Sequence, residues 1–389
     1  MPTRRRLLAA LAAAGSAGVA GCDGLGGGRA TTRRTTAEPT DGGVETGSET
    51  GGPSVGAVPD EESSLPYRAD DDAENVERPL GLVVRNVGSE TRFATVVVSR
   101  GAKTLFVDSA EYAPEGTDRT RRYPSVVARR GVYDVFAETA DGATGRGTLR
   151  VDGVHADATV ELDGEVRVRQ AVRCAPDCGP VSVGGDARPF GNPRWPEVDA
   201  WAGYGVTVAN AGAEQREVRV EFEIDGRTAL DYRYRPPPGS VLTFPTVPPL
   251  RRLRVAVEAA GDRWSGRVDE DRNVALPLAA DADGVRIDAW PDAGADLRFR
   301  NEGGRRVAGV VLRRDGERAA AWSSDLSPGE TATVDGFVPG PGLYRAEMSL
   351  GGDGEGSGES VTNVRTLVVT RRSTLLVRAR EGIDAFLVR

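Results

Sequence analysis

The chain has 389 residues and carries 58 acidic side chains against 50 basic ones, which gives a formal net charge of -8 at pH 7. The basic residues are scattered among the acids, so the sequence lacks the basic stripe that nucleic-acid binding requires. It also has no glycine-rich phosphate loop ahead of a helix, which argues against nucleotide binding.

Residues 1–21 are organised as an export signal. Arg4 and Arg5 begin a cationic stretch, and an uncharged apolar run follows that is too short to span a bilayer. The segment resembles a twin-arginine export signal, and the sequence VAGC that ends at Cys22 resembles the lipobox of lipoproteins. This resemblance implies a lipid on the Cys22 thiol, removal of residues 1–21 and a protein held on the extracytoplasmic face of the cell membrane. An ordinary secretory signal is the alternative.

Residues 22–77 are rich in Gly, Thr, Glu and Asp and nearly free of large apolar side chains. Such a composition cannot bury enough apolar surface to offset its ordering entropy, so it predicts a disordered linker behind the lipid. A flexible coil of this length reaches on the order of 40 Å. Of all the basic residues only Lys103 is a lysine, and this arginine-biased, acid-enriched composition resembles that of proteins from salt-loving archaea.

Beyond the linker, one pattern occurs three times, in units at 78–170, 202–290 and 291–389. Each unit opens with an alternating strand that ends in Asn-x-Gly, and a glycine hairpin follows the next strand. The three asparagines are Asn86, Asn210 and Asn301, and the hairpins are Arg100-Gly101, Asp225-Gly226 and Asp315-Gly316. About seven short strands per unit, with Gly and Pro turns, predict an all-β protein of three tandem immunoglobulin-like antiparallel β-sandwiches.

The repeated order of NxG, DG, PG, an aromatic strand and GxYxV resembles the CARDB-type immunoglobulin-like modules of bacterial cell-adhesion proteins. The first unit departs from it, because Arg100-Gly101 stands where the other two have Asp-Gly. The resemblance implies a scaffold or adhesion role and brings no catalytic residues.

A connector at 171–201 separates the first two units and contains Cys174 and Cys178. In an oxidising exterior this CxxxC pair predicts a short-loop disulfide. We interpret Trp195, Trp201 and the later Trp290 as wedges between neighbouring sandwiches, with carbohydrate stacking as the sharper alternative.

The sequence offers little for catalysis or metal binding. His155 is the only histidine, and no GxSxG elbow accompanies it, so we expect a structural histidine. The CxxxC spacing resembles the copper site of synthesis-of-cytochrome-oxidase proteins, but those sites need further histidine and methionine ligands. Because only Met348 and the initiator are methionines, we expect no metal and no cofactor.

The sequence therefore predicts a noncatalytic cell-surface lipoprotein that acts as a binding, adhesion or scaffold module. Its partners would be the membrane, through Cys22, and a surface protein or glycan. The alternative is a secreted redox or copper-handling protein, or a hydrolase, that uses the Cys174/Cys178 segment or carboxylates on loops.

Overall fold

A computed structural model describes residues 65–114, 116–188, 205–244, 247, 252–268, 274–304, 306–352 and 361–388. Arg4, Arg5, Cys22 and most of the predicted linker lie outside these residues, as do Trp195 and Trp201. The described chain is nearly all β, with 25 strands and three short 3-10 helices at Asp72–Glu74, Thr117–Arg119 and Gly179–Val181. Within it, no helix is long and apolar enough to cross a membrane.

The first unit forms eight strands. They are β1 (Asn75–Asn86), β2 (Arg92–Arg100), β3 (Lys103–Tyr112), β4 (Thr120–Arg129), β5 (Gly131–Thr139), β6 (Thr144–Val151), β7 (His155–Asp163) and β8 (Glu165–Arg173). One sheet has the order β3-β2-β5-β6, and the other contains β8-β7-β1-β4. The two sheets enclose a hydrophobic core.

The second unit has nine strands. They are β9 (Ser182–Ala187), β10 (Gly205–Asn210), β11 (Val218–Ile224), β12 (Arg227–Tyr234), β13 (Ser240–Thr243), β14 (Leu253–Ala259), β15 (Asp262–Val268), β16 (Ala275–Asp281) and β17 (Gly284–Ile287). A five-stranded sheet, β15-β14-β11-β12-β9, packs over β17-β16-β10-β13 around a second core.

The third unit repeats the eight-strand arrangement. Its strands are β18 (Gly294–Asn301), β19 (Arg306–Arg314), β20 (Glu317–Leu326), β21 (Thr331–Val338), β22 (Gly342–Gly352), β23 (Val361–Val369), β24 (Arg372–Ala379) and β25 (Ile383–Val388). The sheets β21-β18-β24-β25 and β20-β19-β22-β23 enclose a third core.

The sheets are mixed, which differs from the purely antiparallel sheets predicted. In each unit the opening strand pairs in parallel with a late strand, in the pairs β1–β7, β10–β16 and β18–β24. The late strand and the strand after it form a closing hairpin on that sheet. The repeat contains eight strands rather than the seven predicted. The additional strand is the one that follows β5, β14 or β22 and pairs antiparallel with it.

The first two units share one sheet. β8 pairs in parallel with β13, from Gln170 opposite Ser240 to Arg173 opposite Thr243, and this joins the two four-stranded sheets into the order β17-β16-β10-β13-β8-β7-β1-β4. A boundary at residue 170 cuts through β8, so the predicted separation of the first two sandwiches differs from the observed pairing.

The first part of the predicted connector belongs to the second unit. β9 pairs antiparallel with β12 as an edge strand, and Cys174, Cys178 and Val181 are buried in the second core. Burial of these apolar side chains stabilises the segment in the same way as any other core strand. Residues 189–201 of the connector lie outside the described residues.

The folded body also begins before residue 78. The carbonyl of Tyr67 accepts the N–H of Ala128 at 2.9 Å, and its ring meets Tyr133 edge-on with centroids 6.4 Å apart. Tyr67 packs against the first core, so the predicted linker is too long by about a dozen residues at this end.

The Asn-x-Gly motif ends the opening strand of every unit, and its asparagine is buried each time. The Asn210 amide donates to the carbonyls of Glu214 and Pro236, both at 2.8 Å, and its oxygen accepts the N–H of Gly212 at 3.1 Å. Asn86 and Asn301 make the corresponding bonds. None of the three has a positive φ, so the motif is explained by this amide bridge and not by left-handed backbone.

Candidate binding site at the junction of the three units

A cavity of about 790 Å³ lies where the three units meet. One wall is the outward face of the shared sheet, where lining residues of β7, β8, β10 and β16 alternate with core residues. The other wall consists of β23 and β25, which are edge strands of the third unit. The volume of this cavity is in the range typical of ligand sites in proteins.

The charged lining is dominated by arginine. Five arginines face two carboxylates, and these residues are Arg85, Arg167, Arg169, Arg365, Arg371, Glu161 and Asp288. The surplus of positive charge stands out because the whole chain has an excess of acids. A concave surface of one charge sign concentrates ions of the opposite sign.

Asp288 is one of the two carboxylates that line the cavity, and its side chain is only 12% exposed. Arg169 binds it with both ends of the guanidinium, one of them at 2.9 Å, and Arg167 approaches to 3.7 Å. Burial lowers the pKa of Arg169, but the hydrogen bonds and charge of Asp288 outweigh this and leave the pKa raised. One carboxylate is thus shared by two permanently charged guanidiniums.

Trp290 lies at the same junction and is buried. The guanidinium of Arg167, from the first unit, stacks 3.7 Å from the centroid of the Trp290 ring. The backbone N–H of Trp290 donates to the carbonyl of Thr370, in the third unit, at 2.8 Å. This stacking places the Arg167 charge at a fixed position in the wall.

Arg85 and Arg371 approach from opposite walls. Arg85 binds Glu161 through Nε at 3.0 Å, yet its side chain is 48% exposed. Arg371 donates from Nη1 to the carbonyl of Val87 at 3.1 Å, while its buried Nε has no hydrogen-bond partner among the described residues. Arg371 thus spans from the third unit to the backbone of the first.

The sequence contained a signal for part of this site. Arg167 and Arg169 alternate with buried Val166 and Val168, and this alternation places both guanidiniums on one face of β8. What the sequence did not reveal is that β23 of a distant unit covers that face.

A second constellation has the composition of a serine-hydrolase triad. His155 Nδ1 lies 2.9 Å from Asp152 Oδ2, and His155 Nε2 lies 3.4 Å from the Ser240 hydroxyl oxygen. Burial lowers the pKa of His155, although the neighbouring Asp152 opposes the shift, so the imidazole is neutral at pH 7.

His155 and Ser240 are buried at the boundary of the first two units, whereas the Asp152 side chain is partly exposed. The His155 side chain is 2% exposed and Ser240 is 2% exposed as a residue. The N–H of the preceding Gly239 donates to the carbonyl of Asn210 at 2.9 Å, so it is not available to stabilise an oxyanion. The three side chains form a link between units, with no room for a substrate at the hydroxyl.

Cys174 and Cys178 lie at disulfide distance, with their Cα atoms 4.5 Å apart. Both are buried in the second core, at 1% and 3% exposure. In the part of the chain that the structure describes, no group of three or more His, Cys, Asp or Glu side chains is placed to hold a metal ion.

No protein-family model and no curated protein matches the chain. Among solved structures, a Streptomyces avermitilis alpha-L-rhamnosidase complexed with L-rhamnose aligns at 12% identity over 78% of this chain and 41% of its own, with a TM-score of 0.11. The Bacteroides ovatus SGBP-B of a mixed-linkage glucan utilization locus, in complex with a mixed-linkage heptasaccharide, aligns at 12% identity over 75% and 66%, also with a TM-score of 0.11. This chain spans less than two thirds of either, and likeness at this level identifies neither fold nor function.

Proposed function

We propose that this protein is a noncatalytic binding protein, anchored by lipid on Cys22 to the extracytoplasmic face of the membrane. The observation that carries the binding role is the arginine-lined cavity at the junction of the three units. Among the residues that the structure describes, the reactive side chains of Ser240 and Cys174 are buried, which supports binding over catalysis. The linker behind Cys22 would hold this body away from the bilayer.

We also propose that each unit is an immunoglobulin-like sandwich. Two units carry a tyrosine corner, in which a buried Tyr donates to a carbonyl four residues upstream. Tyr133 donates to Arg129 at 2.7 Å and Tyr344 donates to Gly340 at 3.0 Å. In the second unit Leu253 stands at the position that corresponds to these tyrosines. That unit therefore has no hydroxyl there to form the corner.

Anchoring is tested by Cys22→Ser in the full-length chain, with the protein located by cell fractionation. We expect the variant to leave the membrane fraction or to remain unprocessed, because it has no thiol for the lipid. A Ser48→Ala variant in the same linker is the control and should stay in the membrane. Unchanged membrane retention of Cys22→Ser would contradict the anchor.

The binding role is tested by crosslinking in intact cells. One reproducible partner, protein or glycan, that is lost when Arg85 is changed to Glu would support binding at the cavity. A partner that is retained by Arg85→Glu would place binding elsewhere on the molecule.

A hydrolase is the second candidate function, because the Asp152–His155–Ser240 geometry specifically favours it. A fluorophosphonate probe reacts with activated serine hydroxyls, so it decides between the two functions. We expect no labelling of the folded protein, since Ser240 is buried. Labelling that disappears in Ser240→Ala would establish the hydrolase instead.

A further inference from the structure

We infer that the junction cavity binds an acidic saccharide, whose carboxylate or sulfate groups are held by the arginines of the two walls. The inference rests on the proposed binding role and names the chemistry of the ligand.

The lining of the cavity has a surplus of positive charge, unlike the arginine cluster on the outer face of the five-stranded sheet. On the outer face of the five-stranded sheet, Arg219 and Arg263 are matched by Glu221, Asp231 and Glu258. In the cavity lining, five arginines stand beside two carboxylates. Arg365 apart, four arginines stand beside the two carboxylates, so a ligand with two negative charges would neutralise the surplus.

The guanidiniums of Arg85 and Arg371 can also donate hydrogen bonds to an oxyanion in the cavity. Arg85 is 48% exposed and binds a single oxygen of the Glu161 carboxylate, so the rest of its guanidinium can turn to a ligand. Arg371 lines the opposite wall and places a second guanidinium there. A planar guanidinium binds carboxylate and sulfate with paired, charge-assisted hydrogen bonds.

The uncharged lining suits a saccharide. Five hydroxyl side chains face the cavity, namely Thr159, Thr207, Thr366, Thr370 and Ser373. Hydroxyls both donate and accept hydrogen bonds, as the hydroxyls of a sugar ring do. Phe386, which is 39% exposed, offers an aromatic surface on β25 against which the apolar face of a sugar ring can pack.

The experiment is calorimetric titration of the full-length chain at low salt. The probes are a uronate trisaccharide, a sulfated trisaccharide, a neutral trisaccharide of the same length and triglutamate. We expect at least one acidic trisaccharide to bind, and we expect the neutral one to bind at least about tenfold more weakly, because it lacks the charge-assisted hydrogen bonds.

Arg85→Gln should weaken the acidic trisaccharide by about tenfold, since one charged hydrogen-bond donor is lost. Arg235→Gln is the matched control. Arg235 is similarly exposed, at 58%, and pairs with the single carboxylate of Glu217, but it lies outside the cavity. The control should change the affinity by less than about twofold. Arg371→Gln gives a second test from the opposite wall, and thermal unfolding checks that each variant folds.

The inference is overturned if neither acidic trisaccharide binds at millimolar concentration, if Arg85→Gln and Arg235→Gln have equal effects, or if triglutamate binds more tightly than both saccharides. The last result would make the ligand an acidic peptide. The crosslinking test with Arg85→Glu does not depend on these titrations. A partner that is lost in that variant would uphold the binding role even if no saccharide bound, so failure of the inference and failure of the proposed function are distinguishable.

Discussion

At the scale of single residues, the three buried asparagines account for the repeat more directly than any hydrophobic position. Each bridges the end of the opening strand to a carbonyl about 25 residues further along, and closes its own turn. A strand end without this side chain would leave buried carbonyls unpaired, which is costly in a low-dielectric interior.

Asn210→Ala should therefore lower the free energy of unfolding by about 1–3 kcal/mol, because two carbonyls and one N–H lose their partner. Chemical denaturation measures this. The matched control is Asn363→Ala, since the half-buried Asn363 donates to the Ile383 carbonyl at 2.6 Å but does not close a turn at a strand end. Equal losses in the two variants would show that the bridge is not the source of the stability.

His155 gives a prediction about pH. In the folded protein the pKa of His155 lies below its ordinary value of 6.5. As the pH falls below 6.5, the unfolded chain therefore binds a proton at His155 more readily than the folded chain does. The contribution of the neutral His155 to the free energy of unfolding is therefore fully present above about pH 6.5. This contribution is lost as the pH falls through the lowered pKa of the folded state. Denaturation curves at several pH values measure it.

His155→Gln is the control for this pH dependence, because the chain has no other histidine. The loss between pH 7 and 5 should be smaller in the variant. A wild-type protein whose stability is unchanged over that interval would contradict a neutral, buried His155. Burial raises the pKa of Asp152, but the backbone N–H donors of Val154 and His155, together with the His155 side chain, outweigh it and leave the pKa lowered.

At the scale of elements, two of the three predicted hairpin turns lie at the residues that the sequence indicated. The first is shifted by one residue, because Arg100 pairs with Lys103 and the turn consists of Gly101 and Ala102. Asp225-Gly226 and Asp315-Gly316 have positive φ at both residues, at 51° and 76° and at 52° and 86°. This is the type I′ turn that Asp-Gly between alternating strands predicts. Turn chemistry is local, so a single sequence is enough to find it.

Strand pairing between units did not follow, because it depends on residues far apart in the chain. Three of the five residues on the outward face of β8 are arginines, and an arginine-rich face is typical of a solvated surface. Nothing within β8 marks β13 as its neighbour or the third unit as the cover of its face. The fold class and the turns were predictable for this reason, and the candidate site was not.

The disulfide belongs to this scale, since it closes the segment between β8 and β9. Cys174→Ala with Cys178→Ala should lower the unfolding free energy by about 2 kcal/mol, the value expected for so short a loop. Val181→Ala, in the same buried segment, measures the cost of lost packing alone. If the double variant instead lost a cellular phenotype at unchanged stability, redox or metal chemistry would replace the structural interpretation.

At the scale of the whole molecule, the shared sheet predicts how the protein unfolds. The first two units should unfold in one transition, because the backbone pairing of β8 with β13 joins their sheets into one. Among the described strands, none of the third unit pairs with the other two, so it should unfold separately. Calorimetry combined with hydrogen exchange measures both. Separate protection of β1 and β10 against exchange would contradict a common transition.

The pairing of β8 with β13 also bears on solubility. Each of these strands would otherwise end its own four-stranded sheet with unpaired N–H and C=O groups, which attract the edges of other chains. Because β8 and β13 pair with each other, the molecule has two fewer exposed sheet edges to which another chain could bind. Excising the first unit would uncover β13 and is expected to yield a protein that aggregates, whatever the stability of the units that remain.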